Sequence, residues 1–162
     1  MEVYRRYIRQ LEWMPPVLPI AYSPSYLQNL VKKNQKKLVK VGFISKFFGI
    51  FEPHGMLLDG IMKYLPKSIF YVIALPIART DGKPLSPVIR ESANEIHEIP
   101  LTHEYAREII VNLKLDLLVY ADTVSEPMTH FLSHSRLAPI QMVPFLLSYT
   151  SIFYYISYLS TP

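Results

Sequence analysis

The chain has 162 residues, half of them hydrophobic, no cysteine, and a formal net charge of +4 at pH 7. This length and composition are typical of one globular domain and exclude a disordered or fibrous chain. The lack of cysteine excludes disulfide bonds and thiolate metal sites and fits a reducing compartment, so we expect a cytoplasmic protein.

Most of the excess positive charge lies in the first forty residues, on Arg5, Arg6, Arg9, Lys32, Lys33, Lys36, Lys37 and Lys40. A nucleic-acid-binding surface needs basic residues that are spread over one face and interleaved with aromatic residues. We therefore predict a solvated helix face and linker here, and no nucleic-acid partner.

Residues 1–38 are predicted to form a helical lead-in and linker. Apolar residues repeat at the helical spacing i, i+3, i+4, i+7, namely Tyr4, Tyr7, Ile8 and Leu11. The opening basic residues are not followed by an uninterrupted apolar core and a small-residue cleavage site. The pattern is therefore not that of a secretory signal.

From residue 39 to residue 145, strands and helices are predicted to alternate in a single domain. A buried strand is predicted at Lys40–Ser45, a loop at Lys46–Pro53 and a helix at His54–Tyr64. Gly60 lies on the inward stripe of this helix, where we expect it to allow close approach to the sheet. The second buried strand is predicted at Ser68–Leu75.

The next segment predicts a long polar loop, Pro76–Pro87, followed by a short helix at Val88–Glu95. Glu98–Pro100 is expected to border a brief third strand. Thr102 is predicted to cap a helix that extends to about Lys114, because four apolar residues after it repeat at helical spacing.

The sequence at the end of this domain predicts a strand, a helix and a second strand, which is a βαβ unit. Leu117–Ala121 is a short apolar run without alternation, which is typical of a strand buried on both faces. A polar turn comes next, and Pro127 can start a helix because a first-turn residue does not need its N–H. The fifth strand is predicted at Pro139–Phe145. We interpret Asp122 and Glu126 as a solvated turn and helix N-terminus, and not as an acid/base pair.

Strands that alternate with helices require right-handed crossovers and give an open parallel sheet. We predict an α/β fold with a Rossmann-like sheet of five strands in the order 3-2-1-4-5 and helices on both faces. Ligands of such sheets lie outside the carboxyl ends of the strands, where the strand order reverses. The loops Lys46–His54 and Asp122–Glu126 should therefore face each other across the opening.

Common nucleotide and metal motifs are not matched. The loop after the first strand offers only Gly49 and Gly55, which fits neither a dinucleotide fingerprint nor a phosphate-binding loop. Two histidine pairs lack an obvious third zinc ligand, namely His97 with His103 and His130 with His134. We predict no metal and no cofactor, and interpret these histidines as surface or capping residues.

His54 is the candidate catalytic residue. It begins a predicted helix at the predicted ligand edge, where an imidazole can act as a base or hydrogen-bond an acceptor hydroxyl. The alternative interpretation is a partly exposed histidine at a helix start, with no catalytic role.

Two stretches of the chain carry a family resemblance. The run Arg136–Gln141, RLAPIQ, and the strand, loop and helix before it are similar to the corresponding stretch of the O-GlcNAc transferase family of glycosyltransferases. The opening strand and loop, Val39–Gly55, resemble that family's first strand and the loop after it. The resemblance runs in consistent order from Val39 to Gln141 and includes the loop that holds His54.

The resemblance implies one half of a two-domain GT-B architecture and the transfer of N-acetylglucosamine from a nucleotide-sugar to a protein Ser/Thr hydroxyl. Family members bind the nucleotide-sugar mainly through a second Rossmann-like domain, so we expect this chain to be incomplete and inactive alone. The donor and a protein acceptor would be partners only after completion by that domain. The alternatives are a non-catalytic remnant that binds a protein partner or acceptor peptide, and a membrane-attached protein.

The tail bears on the membrane alternative, because residues 137–162 contain no charged residue. A membrane-spanning helix needs about 20 consecutive apolar residues, whereas Pro139 and Pro144 interrupt the first part of this segment. We therefore expect residues 146–162 to be a divergent apolar tail that a second domain would normally cover, and a membrane partner is not expected.

Overall fold

A computed structural model of the chain describes residues 38–48, 53–79, 82, 84–123 and 125–143, with only the backbone of residues 53 and 54. The described strands are β1 (Val39–Ser45), β2 (Phe70–Pro76), β3 (Glu95–Ile96), β4 (Leu117–Tyr120) and β5 (Ile140–Met142). The described helices are α1 (Pro53–Tyr64), α2 (Pro87–Ser92), α3 (His103–Asn112) and α4 (Pro127–Ser133). The predicted lead-in, apart from Leu38, and the predicted tail lie outside these residues.

The strands form one sheet in the order β3-β2-β1-β4-β5, and every pair is parallel. This confirms the predicted α/β fold with an open Rossmann-like sheet and its strand order. The central strand β1 pairs with β2 over its whole length and with β4 over four residues. The carboxyl ends of all five strands therefore meet at one edge, and the strand order reverses between β1 and β4.

Helices cover both faces of the sheet. One buried apolar cluster joins the sheet to α3 and α4, and its helical members are Ala106, Ile110, Met128 and Leu132. The other cluster joins the sheet to α1 and α2, and its helical members are Leu58, Met62 and Ile89. Burial on both faces explains why the central strands are continuous apolar runs and lack alternation.

The third strand begins earlier than predicted. β3 consists of Glu95 and Ile96, whereas the predicted border Glu98–Pro100 contributes a single bridge between Ile99 and Ile77. Asn94 fixes this register, because its Oδ1 accepts a hydrogen bond from the Val72 N–H at 2.8 Å and its own N–H donates to the Val72 carbonyl. The pairing with β2 therefore starts directly after residue 94.

Two helix boundaries also differ from the sequence-based expectation. Ser86 is the N-cap of α2, which begins at Pro87, because its Oγ accepts from the Val88 N–H at 3.2 Å. The same Oγ donates to Asp59 Oδ2 at 2.6 Å. The helix ends at Ser92 because Ala93 is extended. Thr102 precedes α3 as predicted, but its side chain makes no capping hydrogen bond.

The glycine that permits close packing is Gly42 in β1, and the role predicted for Gly60 is wrong. A Cβ added at Gly42 would lie 2.5 Å from Leu115 Cδ1 and 3.1 Å from Leu75 Cδ1, both of which are buried. A Cβ added at Gly60 would meet nothing within 4 Å. Helical periodicity placed Gly60 on an inward stripe, but its side of α1 does not touch the sheet that closely.

Alanine substitutions at these two glycines should have opposite effects. Gly42→Ala is expected to lower the free energy of unfolding by about 1–3 kcal/mol, because the new methyl group overlaps the buried Leu115 side chain. Gly60→Ala is expected to raise it by about 0.5–1 kcal/mol, because alanine replaces glycine inside a helix and has open space. Urea denaturation of both variants measures the difference, and equal effects would contradict the packing at Gly42.

Within the described residues, no helix combines the length and apolar character needed to cross a bilayer.

Candidate functional site

Three loops at the carboxyl edge of the sheet meet at Lys46, the residue that follows β1. Its backbone N–H donates to Asp122 Oδ2, beyond β4, at 2.8 Å. Its carbonyl oxygen accepts from Arg79 Nη1, beyond β2, at 3.1 Å. Its ammonium Nζ lies 2.8 Å from Glu126 Oε2. Lys46 thus connects the loops after β1, β2 and β4 with its N–H, its carbonyl and its side chain.

These contacts confirm that the loops after β1 and β4 approach each other at the point where the strand order reverses. The contacts join Lys46 to Asp122 and Glu126, whereas residues 49–52 of the first loop lie outside the described residues. In an open parallel sheet this is the edge where ligands bind. We therefore take it as the candidate site.

Asp122 is the most deeply buried acidic group at this edge, with 1% of its surface exposed. Its Oδ2 accepts from the Lys46 N–H and from Ser45 Oγ at 3.2 Å, while its Oδ1 is buried and has no hydrogen-bond partner among the described residues. Burial raises the pKa of Asp122 above its ordinary value, although hydrogen bonds from the Lys46 N–H and the Ser45 hydroxyl oppose the shift. A desolvated carboxyl group at a ligand edge is typical of a functional site.

The prediction that Asp122 and Glu126 form a solvated turn is wrong. They are only 1% and 7% exposed. Glu126 Oε1 accepts from the Met128 N–H at 3.2 Å and so caps α4, while Oε2 pairs with Lys46. Both carboxyl groups are bound by Lys46, which follows β1 and lies 76 or more positions earlier in the chain. Local sequence around residue 122 carries no signal of such partners.

Sequence reasoning also did not identify Ser45 and Lys46 as site residues. Ser45 Oγ donates to Asp122 Oδ2 and accepts from the Phe47 N–H at 2.9 Å. The available signal was a polar Ser-Lys pair directly after a buried strand, at the edge where ligands bind.

His54, the predicted catalytic residue, is the second residue of α1, which begins directly after the loop that follows β1. Its backbone therefore lies at the end of the helix nearest the carboxyl edge of the sheet. Its side chain lies outside the described part of the structure, so its role stays a prediction.

The run Arg136–Gln141 forms a closed turn at the entry to β5. Gln141 Oε1 accepts from the Leu137 N–H at 2.6 Å and from the Ala138 N–H at 3.2 Å. Arg136 Nη2 donates to the Pro139 carbonyl at 3.4 Å. Leu137, Ala138 and Gln141 are all buried. The contacts described for this run are thus structural, because they fix how the chain enters the strand that pairs with β4.

Substitutions at Asp122 should separate its charge from its hydrogen bonds. Asp122→Ala is expected to lower the free energy of unfolding by about 1–3 kcal/mol, because the Lys46 N–H and Ser45 hydroxyl lose their acceptor. Asp122→Asn keeps an acceptor oxygen and removes the buried charge, so it should leave the stability unchanged or raise it.

The pH dependence of the free energy of unfolding shows whether the negative charge of Asp122 stabilises or destabilises the fold. A carboxyl group whose pKa is raised by folding stabilises the fold below its unfolded pKa, and that stabilisation is lost as the pH rises through the folded pKa. The stability of Asp122→Asn relative to the native chain should therefore increase as the pH rises from below the ordinary pKa of aspartate. Urea denaturation of both proteins between acidic and neutral pH measures this, and a relative stability that falls with pH would contradict it.

Comparisons with known proteins support the fold but identify no family. No protein-family profile matches the sequence, and no curated protein matches it. Among solved structures, the chain is similar to a K341M mutant of the Thermobaculum terrenum O-GlcNAc transferase, with a TM-score of 0.55 and 21% sequence identity. The match covers 67% of this chain and 21% of that chain, so this chain spans about a fifth of that protein's length. At this identity the match shows the fold alone, which is an open Rossmann-like sheet.

Proposed function

We propose that this chain is the first Rossmann-like half of a two-domain, GT-B type glycosyltransferase. The completed protein transfers N-acetylglucosamine from a nucleotide-sugar to a Ser/Thr hydroxyl of a protein acceptor in the cytoplasm. The chain itself supplies the acceptor side of the cleft and is inactive alone. Its domain spans residues 39–145, with residues 1–38 leading in and residues 146–162 forming the tail.

The fold similarity to an O-GlcNAc transferase carries this proposal. Two further observations support it. The sheet has its strand-order reversal between β1 and β4, and the loops at that edge are held together through Lys46. The RLAPIQ run, which carries the sequence resemblance, is built into the fold at β5, next to β4. Sequence resemblance and structural similarity thus favour the same family.

In this proposal His54 is the catalytic residue. Its imidazole takes the proton of the acceptor hydroxyl while the hydroxyl oxygen attacks the sugar carbon and the nucleotide leaves. The position of His54 supports this role, since α1 starts at the loop that follows the central strand. Asp122 and Lys46 position the loops and are not assigned a catalytic role.

A non-catalytic domain that binds a protein partner or an acceptor peptide is the second candidate. It is favoured by the charge pairing at the edge, where the Lys46 ammonium is bound to Glu126 and the Lys46 N–H to Asp122. Groups that already satisfy each other are suited to holding a surface in shape and are less available for chemistry.

The two candidates predict different coding sequences beyond Pro162. For the glycosyltransferase, we expect the full transcript to encode a second Rossmann-like domain, and the full product to transfer N-acetylglucosamine to protein. His54→Ala in that product should lower kcat roughly a hundredfold or more. His97→Ala is the matched control, because His97 is paired with Glu95 on the edge strand and should leave kcat unchanged. A transcript that ends without a second domain would favour the non-catalytic candidate, whereas equal kcat values for both variants would contradict the catalytic role of His54.

A further inference from the structure

Two histidines on one side of α4 lie with their ring nitrogens close together. His130 Nε2 and His134 Nε2 are 3.4 Å apart, and the two rings are nearly perpendicular, with centroids 5.0 Å apart. The residues are four apart in sequence, which places both side chains on the same side of a helix. A nitrogen-to-nitrogen distance of 3.4 Å is long for a hydrogen bond, for which about 2.7–3.2 Å is usual.

The orientation of His130 is set by a backbone carbonyl. His130 Nδ1 lies 3.1 Å from the carbonyl oxygen of Thr123, in the loop between β4 and α4. A carbonyl oxygen only accepts hydrogen bonds, so Nδ1 carries the proton of the neutral ring and Nε2 carries the lone pair. Histidines that bind metals are oriented in this way, with one ring nitrogen on a metal and the other donating to a carbonyl or carboxylate.

The separation of the two Nε2 atoms fits one metal ion between them. Zinc binds histidine nitrogen at about 2.0–2.1 Å with tetrahedral geometry. Two such bonds at the tetrahedral angle place the nitrogens roughly 3.3–3.4 Å apart. The observed 3.4 Å matches this separation, and a bound ion would replace the direct contact between the two nitrogens.

We infer that His130 and His134 form a bidentate site for a divalent transition metal ion of the zinc class, bound through the two Nε2 atoms. Imidazole nitrogen favours zinc, copper and nickel over magnesium and calcium, so the ligand pair selects among metals. No group of three or more His, Cys, Asp or Glu residues in the described part of the chain could hold a metal. His130 and His134 therefore supply two of the coordination positions of the ion.

His134 is exposed at the end of α4, which gives the ion access from solvent.

Asparagine variants test the site without disturbing the fold. His130→Asn retains an N–H that can donate to the Thr123 carbonyl but has no Nε2, and His134→Asn places asparagine at the end of a helix, where it is well tolerated. His97→Asn is the matched control, because His97 pairs with Glu95. Circular dichroism checks that all variants are folded.

The chain is stripped with a chelator and titrated with zinc ions by isothermal titration calorimetry, and histidine ring nitrogens are followed by NMR. We expect one zinc ion per chain, at least tenfold weaker binding in either single variant, unchanged binding in His97→Asn and no heat with magnesium. Coordination should shift the Nε2 signals of His130 and His134. Zinc binding that survives the double variant, or is absent from the native chain, would overturn the inference.

Discussion

Leu118→Asp is expected to prevent stable folding of the chain. Leu118 lies in β4 between β1 and β5, has no exposed surface and belongs to the apolar cluster that joins the sheet to α3 and α4. An aspartate at this position would either stay ionised without water or a partner, or take up a proton, and both cost free energy because the site is apolar. The packing contacts of the leucine are lost as well. We expect a loss of at least about 4 kcal/mol in the free energy of unfolding, which is a large part of the stability of a small domain.

Leu101→Asp is the matched control for this substitution. Leu101 lies before α3 and is 54% exposed, so its aspartate remains hydrated. The control should stay within about 0.5 kcal/mol of the native chain. Circular dichroism and urea denaturation distinguish the variants. A folded Leu118→Asp variant with an unchanged melting temperature would mean that β4 is wrongly assigned.

The second large effect is on activity, since the 162-residue chain alone is expected to show no turnover of UDP-N-acetylglucosamine. The match covers 67% of this chain but only 21% of the similar O-GlcNAc transferase, so that protein is much longer than this chain. In the proposed architecture the nucleotide-sugar is held mainly by a second Rossmann-like domain. Without that domain the donor lacks its binding surface, and the transition state loses the groups that would position it.

Transfer of radiolabelled sugar to Ser/Thr-containing peptides measures this expectation. A complete O-GlcNAc transferase, assayed with the same peptides and donor, serves as the positive control. Transfer by the pure chain that persists through further purification, and that is lost in His54→Ala, would contradict the expected inactivity. It would also show that the donor site lies within these residues.

The parts of the fold that sequence reasoning predicted well are those determined by long apolar runs. β1, β2 and β4 are buried on both faces, so their sequences are continuous and apolar, and the rule for right-handed crossovers then gives the strand order. β3 was misplaced because two residues carry no periodic signal, and its start depends on Asn94 bonding to Val72 in the neighbouring strand.

Sequence reasoning predicted where the candidate site lies, but it did not predict which groups meet there. The edge between β1 and β4 follows from topology alone. The burial of Asp122 depends on Ser45 and the backbone of Lys46, which approach it only after the sheet has formed. Likewise, helical spacing paired His130 with His134, but the 3.4 Å distance and the bond to the Thr123 carbonyl appear only in the folded chain.

The contacts of Lys46 bear on how far the sequence can change at this edge of the sheet. Two of its three links to neighbouring loops use backbone atoms, namely the N–H that donates to Asp122 and the carbonyl that accepts from Arg79. Mutation of residue 46 to almost any other amino acid removes only the ion pair with Glu126 and retains both backbone links. Selection on the shape of this edge therefore places little constraint on the identity of residue 46. The sequence can therefore change at residue 46 while the three loops keep the same arrangement, because the backbone carries two of the contacts.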